Sequence, residues 1–242
     1  MKHMRKLLKL LALTLAIAMI AAACGDDDST SDNAGSDTGT ETGDTGSSDN
    51  VDATQGGDYT FYVITHGDGG VFWSVAQKGA EDAGRDLGVE VIYQGSNNDP
   101  EKQAQDIEAA VAAGADGIAV SLASPDAVGP AVKAAVDAGI PVITLNSGVN
   151  QFKELGAITH VGQTEIVAGE GAGERFNNLG ATKVLCARQE QSNVGLEERC
   201  QGLSNTFNGD VVSEFIGGDN EPDVQEQNIA AILQADPDID AV

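Results

Sequence analysis

Short apolar runs alternate with longer Ala-rich segments from residue 58 onwards. Runs of the first kind favour β-strands and segments of the second kind favour helices, and their alternation predicts βαβ units around a parallel sheet. The runs Gly117–Val120 and Pro141–Leu145 are apolar throughout, as expected for strands that are covered on both faces. We predict an α/β fold with strands near 60–65, 90–93, 117–121, 141–145, 159–162, 182–187 and 211–216, and helices near 73–87, 101–113, 126–138, 165–178, 195–207 and 222–234.

A glycine-rich turn follows the first predicted strand and precedes the first predicted helix. It runs from Thr65 to Trp73, contains three glycines that allow a sharp turn, and ends on the only tryptophan of the chain. Open α/β sheets bind ligands at the carboxyl ends of their parallel strands. We therefore expect a ligand at this turn, where His66 and Asp68 offer hydrogen-bonding groups and Phe72 and Trp73 offer flat apolar surfaces.

Residues 1–23 are typical of an export signal. A positively charged start is followed by a short apolar core and by the small residues Ala21–Ala23 before Cys24. This junction resembles the lipobox of bacterial lipoproteins, in which the cysteine is diacylated and becomes the new amino terminus. The alternative is ordinary secretion, with Cys24 removed or left as a free thiol. In both cases we expect export, and in the first case a lipid anchor in the membrane of the cell envelope.

Residues 24–57 have the composition of a disordered acidic tether. They consist mainly of Asp, Ser, Thr, Gly and Asn, and they contain no Lys or Arg. Such a segment cannot bury enough apolar surface to offset its ordering entropy, and its carboxylates favour extension by repelling one another. The acidic run Asp26–Asp28 lacks the spacing of a calcium-binding loop, so we predict no metal there.

Net charge and missing motifs argue against several classes of function. The formal net charge of −25 argues against nucleic-acid binding, which requires a basic face against phosphate. The glycines of the turn do not extend to a dinucleotide fingerprint, and the sequence has no nucleophile elbow, zinc-protease motif or P-loop lysine. Outside the export signal, His66 and His160 are the only histidines, which is too few for a metal cluster. We predict no enzyme activity, no cofactor and no metal.

Cys186 and Cys200 form a pair in an exported chain, and such chains fold in an oxidising compartment. Cys186 lies at the end of a predicted strand, and Cys200 lies in the helix that follows it. This arrangement favours a disulfide, although two buried free thiols or one reactive cysteine are alternatives.

Several segments, taken in order, resemble the periplasmic sugar-binding proteins of ABC importers, of the ribose-binding kind. The segments are Phe72–Val75, Lys78–Ala80, Asp116–Val120, Ser124–Ala127, Gly139–Ile143, Asn146-Ser147, Val161–Gln163, Ala168-Gly169, and Arg199 three residues before Gly202. The resemblance covers about residues 58–242 and rests on the order and spacing of these segments.

The resemblance implies two α/β lobes, each a parallel sheet flanked by helices, with a ligand between them. It assigns residues 58–162 to the N-terminal lobe and residues 163–242 to a part of the C-terminal lobe. Members of this family continue beyond the position of Val242, so the second lobe is expected to be incomplete. The implied protein is a monomer that delivers a sugar to a membrane permease driven by an ATPase.

The resemblance also implies a set of ligand-binding residues. The principal candidates are Asp68, Phe72, Trp73, Ser121, Asn146, Gln163 and Arg199, and further candidates are His66, Glu190 and Asn193. Aromatic rings meet the apolar face of a sugar, while amides and a guanidinium meet its hydroxyl groups. For single residues the alternatives are a core aromatic, a turn-capping Asp68 and a solvated Arg199. Asn146-Ser147 replaces the Asp-Arg pattern of ribose-type proteins, which leaves the identity of the sugar open.

Three other interpretations of the function stay open at this stage. One is a tethered sensory module that presents its ligand to a signalling partner, and another is an enzyme of the cell envelope on the same frame. A third is a receptor for a non-sugar solute, such as a nucleoside or a signalling molecule.

Overall fold

The structure, a computed structural model, describes residues 57–218 and 220–242. The predicted export signal, the predicted lipidation site Cys24 and the tether up to residue 56 lie outside the described residues. All of the described residues fall in one compact unit of the chain. Within them, no helix is long and apolar enough to span a membrane.

The first part of the described chain forms a five-stranded parallel sheet in the order β2-β1-β3-β4-β5. Its strands are β1 (Thr60–Thr65), β2 (Glu90–Gly95), β3 (Gly117–Ser121), β4 (Val142–Leu145) and β5 (His160–Val161), and its helices are α1 (Gly70–Leu87), α2 (Pro100–Ala112) and α3 (Pro125–Asp137). Strand β1 pairs with β2 on one side, where Phe61 faces Val91, and with β3 on the other, where Phe61 faces Gly117. The strand order therefore reverses at β1, and such a reversal is where open sheets bind ligands.

The second part repeats the alternation of helices and parallel strands. Its elements are α4 (Glu165–Leu179), β6 (Lys183–Arg188), α5 (Val194–Thr206), β7 (Asp210–Phe215) and α6 (Pro222–Ala235). Among the described residues β6 and β7 form a two-stranded parallel sheet, and Ala241 adds an isolated bridge to Val184.

The helices begin where the sequence supplies capping groups. The Asp99 carboxylate accepts hydrogen bonds from the backbone N–H groups of Glu101 and Lys102, both at 3.0 Å, and Pro100 occupies the first position of α2. These contacts satisfy backbone donors that a helix start leaves unpaired. Helix α1 begins at Gly70, three residues before its predicted start, so Phe72 and Trp73 lie in its first turn. Gly69 and Gly70, with φ values of 62° and 63°, complete the turn, and the helix can begin at once.

The larger apolar core lies in the first part of the chain. It contains Ile64, Ile107, Ile118, Val120, Leu122, Val128, Val132 and Val142, all of them buried. In α2, Ile107 and Ala110 are buried and Ala104 and Val111 pack against this core, as their spacing of three and four residues predicts. A smaller core is built around Val184, Leu203 and Phe207 in the second part.

Helices α4 and α5 approach each other closely through glycines. A Cβ atom on Gly169 would collide with the carbonyl oxygen of Arg199, and one on Gly202 would collide with the carbonyl oxygen of Ile166. The two backbones are therefore in direct contact at this crossing.

A disulfide joins Cys186 at β6 to Cys200 in α5, with the two Cα atoms 5.8 Å apart. The predicted pairing is confirmed. The bond fixes helix α5 to the end of strand β6, next to the residues that follow that strand.

Candidate ligand-binding site

The carboxyl ends of the strands in both parts of the chain surround a cavity of about 280 Å³, which we call the Trp73 cavity. The first part supplies His66, Phe72, Trp73, Asn146 and Ser147. The second part supplies Glu165, Gln189, Glu190, Asn193, Gly195, Leu196 and Arg199. The cavity therefore has walls from segments that are far apart in sequence.

Two aromatic rings form one side of this cavity. Trp73 is only 4% exposed, and its ring meets those of His66 and Phe72 edge to face, each at a centroid distance of 4.9 Å. Phe72, by contrast, is 62% exposed. Gly67 lies directly against the Trp73 indole, where a Cβ atom would overlap the indole Nε1. The turn therefore needs glycine at position 67 so that the indole can pack over the backbone.

His66 is buried and connects the two walls. Its backbone N–H donates to the Ser121 hydroxyl at 2.7 Å, and its Nδ1 lies 2.7 Å from the same oxygen. Since that oxygen accepts from the backbone, its own proton can go to Nδ1, which leaves a proton on Nε2. Nε2 faces a Glu190 carboxylate oxygen at 3.3 Å, and the Asn193 amide donates to the same oxygen at 2.7 Å. In this arrangement both donors point to the carboxylate of Glu190.

Asn193 joins the cap of α5 to the loop after β4. Its side-chain oxygen accepts from the backbone N–H of Gly195 at 3.0 Å and lies 3.0 Å from the Ser147 hydroxyl. The same hydroxyl lies 3.0 Å from the amide oxygen of Asn146. Asn146 has a left-handed backbone, with φ of 60°, a conformation that asparagine tolerates better than most residues.

Arg199 is held at the cavity by a buried carboxylate. Its Nε donates to Glu165 at 2.7 Å, and the Gln163 amide donates to both carboxylate oxygens of Glu165, at 3.0 and 2.9 Å. The side chain of Glu165 is 6% exposed and that of Arg199 is 46% exposed. Because the contact uses Nε, the terminal guanidinium nitrogens can donate to a ligand in the cavity.

The structure brings most of the predicted site residues together. Phe72, Trp73, Asn146, Arg199, His66, Glu190 and Asn193 all line the Trp73 cavity. Three predicted residues do not line it: Ser121 lies behind His66, Gln163 lies behind Glu165, and Asp68 is exposed, with its carbonyl oxygen accepting from the Asn220 amide at 3.2 Å. A role in ligand binding stays a prediction for every one of these residues.

The predicted site residues did not include Ser147, Glu165, Gln189, Gly195 and Leu196, which also line the cavity. For Gln189 a signal was present, because it directly follows β6 as His66 follows β1. For Glu165 the position in the first turn of α4 was visible, but its contact with Arg199 depends on how α4 packs against α5. In the described part of the chain, no group of His, Cys, Asp and Glu side chains could hold a metal ion.

Comparison with known proteins finds one matching family and several curated relatives. Residues 61–242 match the family described as periplasmic binding protein domain. The chain is 26% identical over 186 residues to the xylose/arabinose-binding protein XylF of Sulfolobus acidocaldarius, a match that covers 73% of this chain and 46% of the relative. It is 31% identical over 182 residues to the fructose import binding protein FruE of Bifidobacterium longum, covering 73% and 49%. The chain thus spans about half the length of these curated relatives.

A solved structure of a carbohydrate transporter from Acidothermus cellulolyticus, in complex with myo-inositol, superposes with a TM-score of 0.72 at 43% identity. The match covers 76% of this chain and 64% of that one. The predicted fold class, parallel sheets flanked by helices, is confirmed by this match. The relatives are binding and transport proteins, which also confirms the prediction that the chain is not an enzyme.

Proposed function

Because this chain belongs to the periplasmic binding protein domain family, we propose that it is the substrate-binding component of an ABC-type importer. Its ligand is a monosaccharide or a cyclic polyol, held in the Trp73 cavity. The observation that carries the proposal is the composition of that cavity, which combines aromatic rings with amides and with a guanidinium paired to a buried carboxylate.

This composition suits a polyhydroxylated ring. The C–H face of such a ring packs against an aromatic side chain, and its hydroxyl rim needs groups that both donate and accept. The amides of Asn146 and Asn193 do both, while Arg199 donates only and Glu190 in its ionised form accepts only. Arg199 is already paired with Glu165, so the site offers hydrogen bonds to a neutral ligand without an unbalanced positive charge.

The relatives narrow the set of ligands to be tried first. Their names and titles mention xylose, arabinose, fructose and myo-inositol. The myo-inositol complex is the one with 43% identity, which supports a cyclic polyol as the first candidate.

We further propose that residues 58–162 and 163–242 belong to two lobes that close around the ligand. The chain passes from the first sheet to α4 through Gly162–Thr164, which makes this short segment the proposed hinge. A ligand that contacts both walls of the cavity stabilises the closed arrangement. We also propose that the chain is exported, that lipidation at Cys24 and the tether 24–57 hold it in the cell envelope, and that it acts as a monomer with a membrane permease and its ATPase.

Isothermal titration calorimetry of the purified protein with myo-inositol, xylose, arabinose, ribose and fructose tests the proposal. We expect saturable binding of at least one compound, and about tenfold weaker binding by Arg199→Gln, equivalent to about 1.4 kcal/mol.

The matched control is Arg175→Gln, which changes an exposed arginine of α4 outside the cavity. Its affinity should equal that of the unmodified protein. Absence of binding to every sugar and polyol would reject the proposed function, and equal losses in both variants would remove Arg199 from the site.

A further inference from the structure

A second cavity of about 280 Å³ lies beside the Trp73 cavity, and we call it the Gln103 cavity. The two cavities share His66, Gln189 and Glu190. From the first part of the chain the Gln103 cavity takes the start of α2 and the residues after β3, and from the second part the residues after β6 and β7. It therefore lies between the same two walls as the first cavity.

The Gln103 cavity contains a buried acceptor that has no partner. Gln103 is 0% exposed, and its side-chain nitrogen donates to the Ser121 carbonyl at 2.7 Å. Its side-chain oxygen is buried and has no hydrogen-bond partner among the described residues. A buried acceptor without a donor is unfavourable, because it has lost its bonds to water and has gained none in return. The oxygen is closed to water in this structure, so a ligand hydroxyl supplies that donor only where the lining side chains move to admit it.

The other lining residues fit a neutral, hydroxylated group. Ser124, Gln191 and Ser192 offer neutral polar groups, and the lining contains no Lys or Arg. A phosphorylated or carboxylated ligand would find no Lys or Arg in this lining, so a neutral ligand is favoured. Phe215, 40% exposed at the end of β7, gives this cavity an aromatic surface of its own. The lining of the Gln103 cavity is therefore similar in chemistry to the lining of the Trp73 cavity.

The boundary between the two cavities is formed by side chains. It consists of His66 and Glu190, whose Nε2 and carboxylate oxygen are 3.3 Å apart, with Asn193 donating to the same carboxylate oxygen at 2.7 Å. A molecule with a unit in each cavity would place its linking atoms beside these polar groups. A two-unit ligand therefore requires the His66 and Glu190 side chains to rotate away from each other.

Resting on the proposed function, we infer that the Gln103 cavity binds the second unit of the same ligand. The monosaccharide or cyclic polyol proposed above is then one unit of a neutral disaccharide, or of a sugar joined to a cyclic polyol, with one ring in each cavity. One ring packs beside Phe72 and Trp73, and the other donates a hydroxyl to Gln103 and packs beside Phe215.

Calorimetry of the purified protein tests this inference. The probes are the monosaccharides and myo-inositol of the first panel, together with neutral disaccharides and galactosyl-inositol that contain the best-binding unit. We expect at least one two-unit compound to bind about tenfold more tightly than its best single unit, with one molecule bound per protein. Gln191→Trp, at an exposed position that lines only the Gln103 cavity, should abolish this gain and leave the affinity for the single unit unchanged.

Phe72→Ala is the matched variant in the Trp73 cavity and should weaken single-unit and two-unit ligands alike. Gln103→Leu, with its fold checked by circular dichroism, should also remove the gain. If single units bind and no two-unit compound binds more tightly, the cavity holds only water and the inference is wrong while the proposed function stands. Two single units bound per protein would also contradict it, and absence of all binding would reject the proposed function as well.

Discussion

At the scale of residues, Trp73 and Phe72 are neighbours in sequence with different roles. Trp73 is 4% exposed and packs against His66 and the Gly67 backbone, whereas Phe72 is 62% exposed at the mouth of the same cavity. Trp73 therefore packs within the fold as well as lining the cavity. Phe72 has little to contribute to folding and is available to a ligand.

We predict that Trp73→Ala lowers the free energy of unfolding by about 3–5 kcal/mol, because it leaves a large cavity under the turn. Ligand affinity should fall at least about tenfold, or about 1.4 kcal/mol. Urea denaturation and calorimetry measure the two effects.

Phe72→Ala is the control for this substitution. It should weaken binding while leaving the unfolding midpoint unchanged, since little of its side chain is buried. Unchanged affinity in Trp73→Ala at a temperature where the variant is folded would remove the indole from the site.

The sequence was informative about some site residues for a clear physical reason. His66, Asn146 and Glu190 directly or closely follow strands, so their positions at the carboxyl ends of parallel strands could be inferred from order alone. Glu165 could not, because its role depends on the contact between α4 and α5. Asp68 has a suitable side chain in a suitable turn, yet the turn leaves it exposed and away from the cavity.

At the scale of elements, helices α4 and α5 cross closely because glycines without side chains lie at the crossing. Gly169 and Gly202 bring the two backbones together, and the carbonyl oxygen of Arg199 lies at this crossing, against Gly169. The distance between these helices therefore sets the position of Arg199 relative to Glu165.

We predict that Gly169→Ala destabilises the protein by about 1–3 kcal/mol, because its Cβ atom forces the helices apart. Gly171→Ala is the matched control in the same helix, with open space around its Cβ atom. It should stabilise the protein by about 0.5–1 kcal/mol, since alanine is the better helix former. Thermal and urea unfolding of both variants provide the measurement, and similar effects of the two substitutions would contradict the close approach.

The disulfide between Cys186 and Cys200 closes a loop with a sequence separation of 14. We predict that Cys186→Ser combined with Cys200→Ser lowers the free energy of unfolding by about 3 kcal/mol, the value expected for a loop of about this length. Urea denaturation measures the loss. Mass spectrometry of the unmodified protein should show a gain of two hydrogen atoms on reduction, and an unchanged mass would indicate free thiols.

All predicted strands and helices are present within residues 57–218 and 220–242, with small differences in their bounds. Strong alternation made this possible, because apolar runs of strand length are separated by Ala-rich segments of helix length. The start of α1 was placed too late because a run of glycines predicts a turn, and sequence alone does not show at which glycine the turn ends.

At the scale of the whole molecule, the two parts of the chain contact each other directly beside the cavities. The Val194 N–H donates to the Ala123 carbonyl at 3.0 Å, and the Ser124 hydroxyl donates to the Ser192 carbonyl at 2.9 Å. The Asn150 amide donates to Glu198 at 2.8 Å. These bonds need no ligand, so they stabilise the closed arrangement of the proposed lobes by themselves.

We predict that the double variant Ser124→Ala and Asn150→Ala lowers ligand affinity by about threefold to tenfold, because a smaller fraction of the protein is closed before binding. Small-angle X-ray scattering should show a larger radius of gyration without ligand and an unchanged one at saturation.

Lys133→Ala is a suitable control, since it removes a contact with Asp137 within α3 that does not join the two parts. Its affinity and radius of gyration should be those of the unmodified protein. An unchanged radius of gyration in the double variant would contradict a role of these bonds in closure.

The fold class and the approximate place of the site followed from the sequence, whereas these contacts between the two parts did not. Periodicity and strand order describe each sheet, but the pairing of Asn150 with Glu198 depends on how two separate sheets are placed. Such pairs are exposed and polar, so they leave no pattern in the chain.

The loop closed by Cys186 and Cys200 contains Gln189, Glu190, Asn193 and Arg199, which are most of the residues that the second part of the chain contributes to the Trp73 cavity. This wall of the site is therefore a macrocycle, comparable to a cyclised peptide. Cyclisation restricts the conformations of the unbound wall, so less conformational entropy is lost when a ligand orders it. The disulfide thus preorganises this wall of the proposed binding site in addition to stabilising the fold.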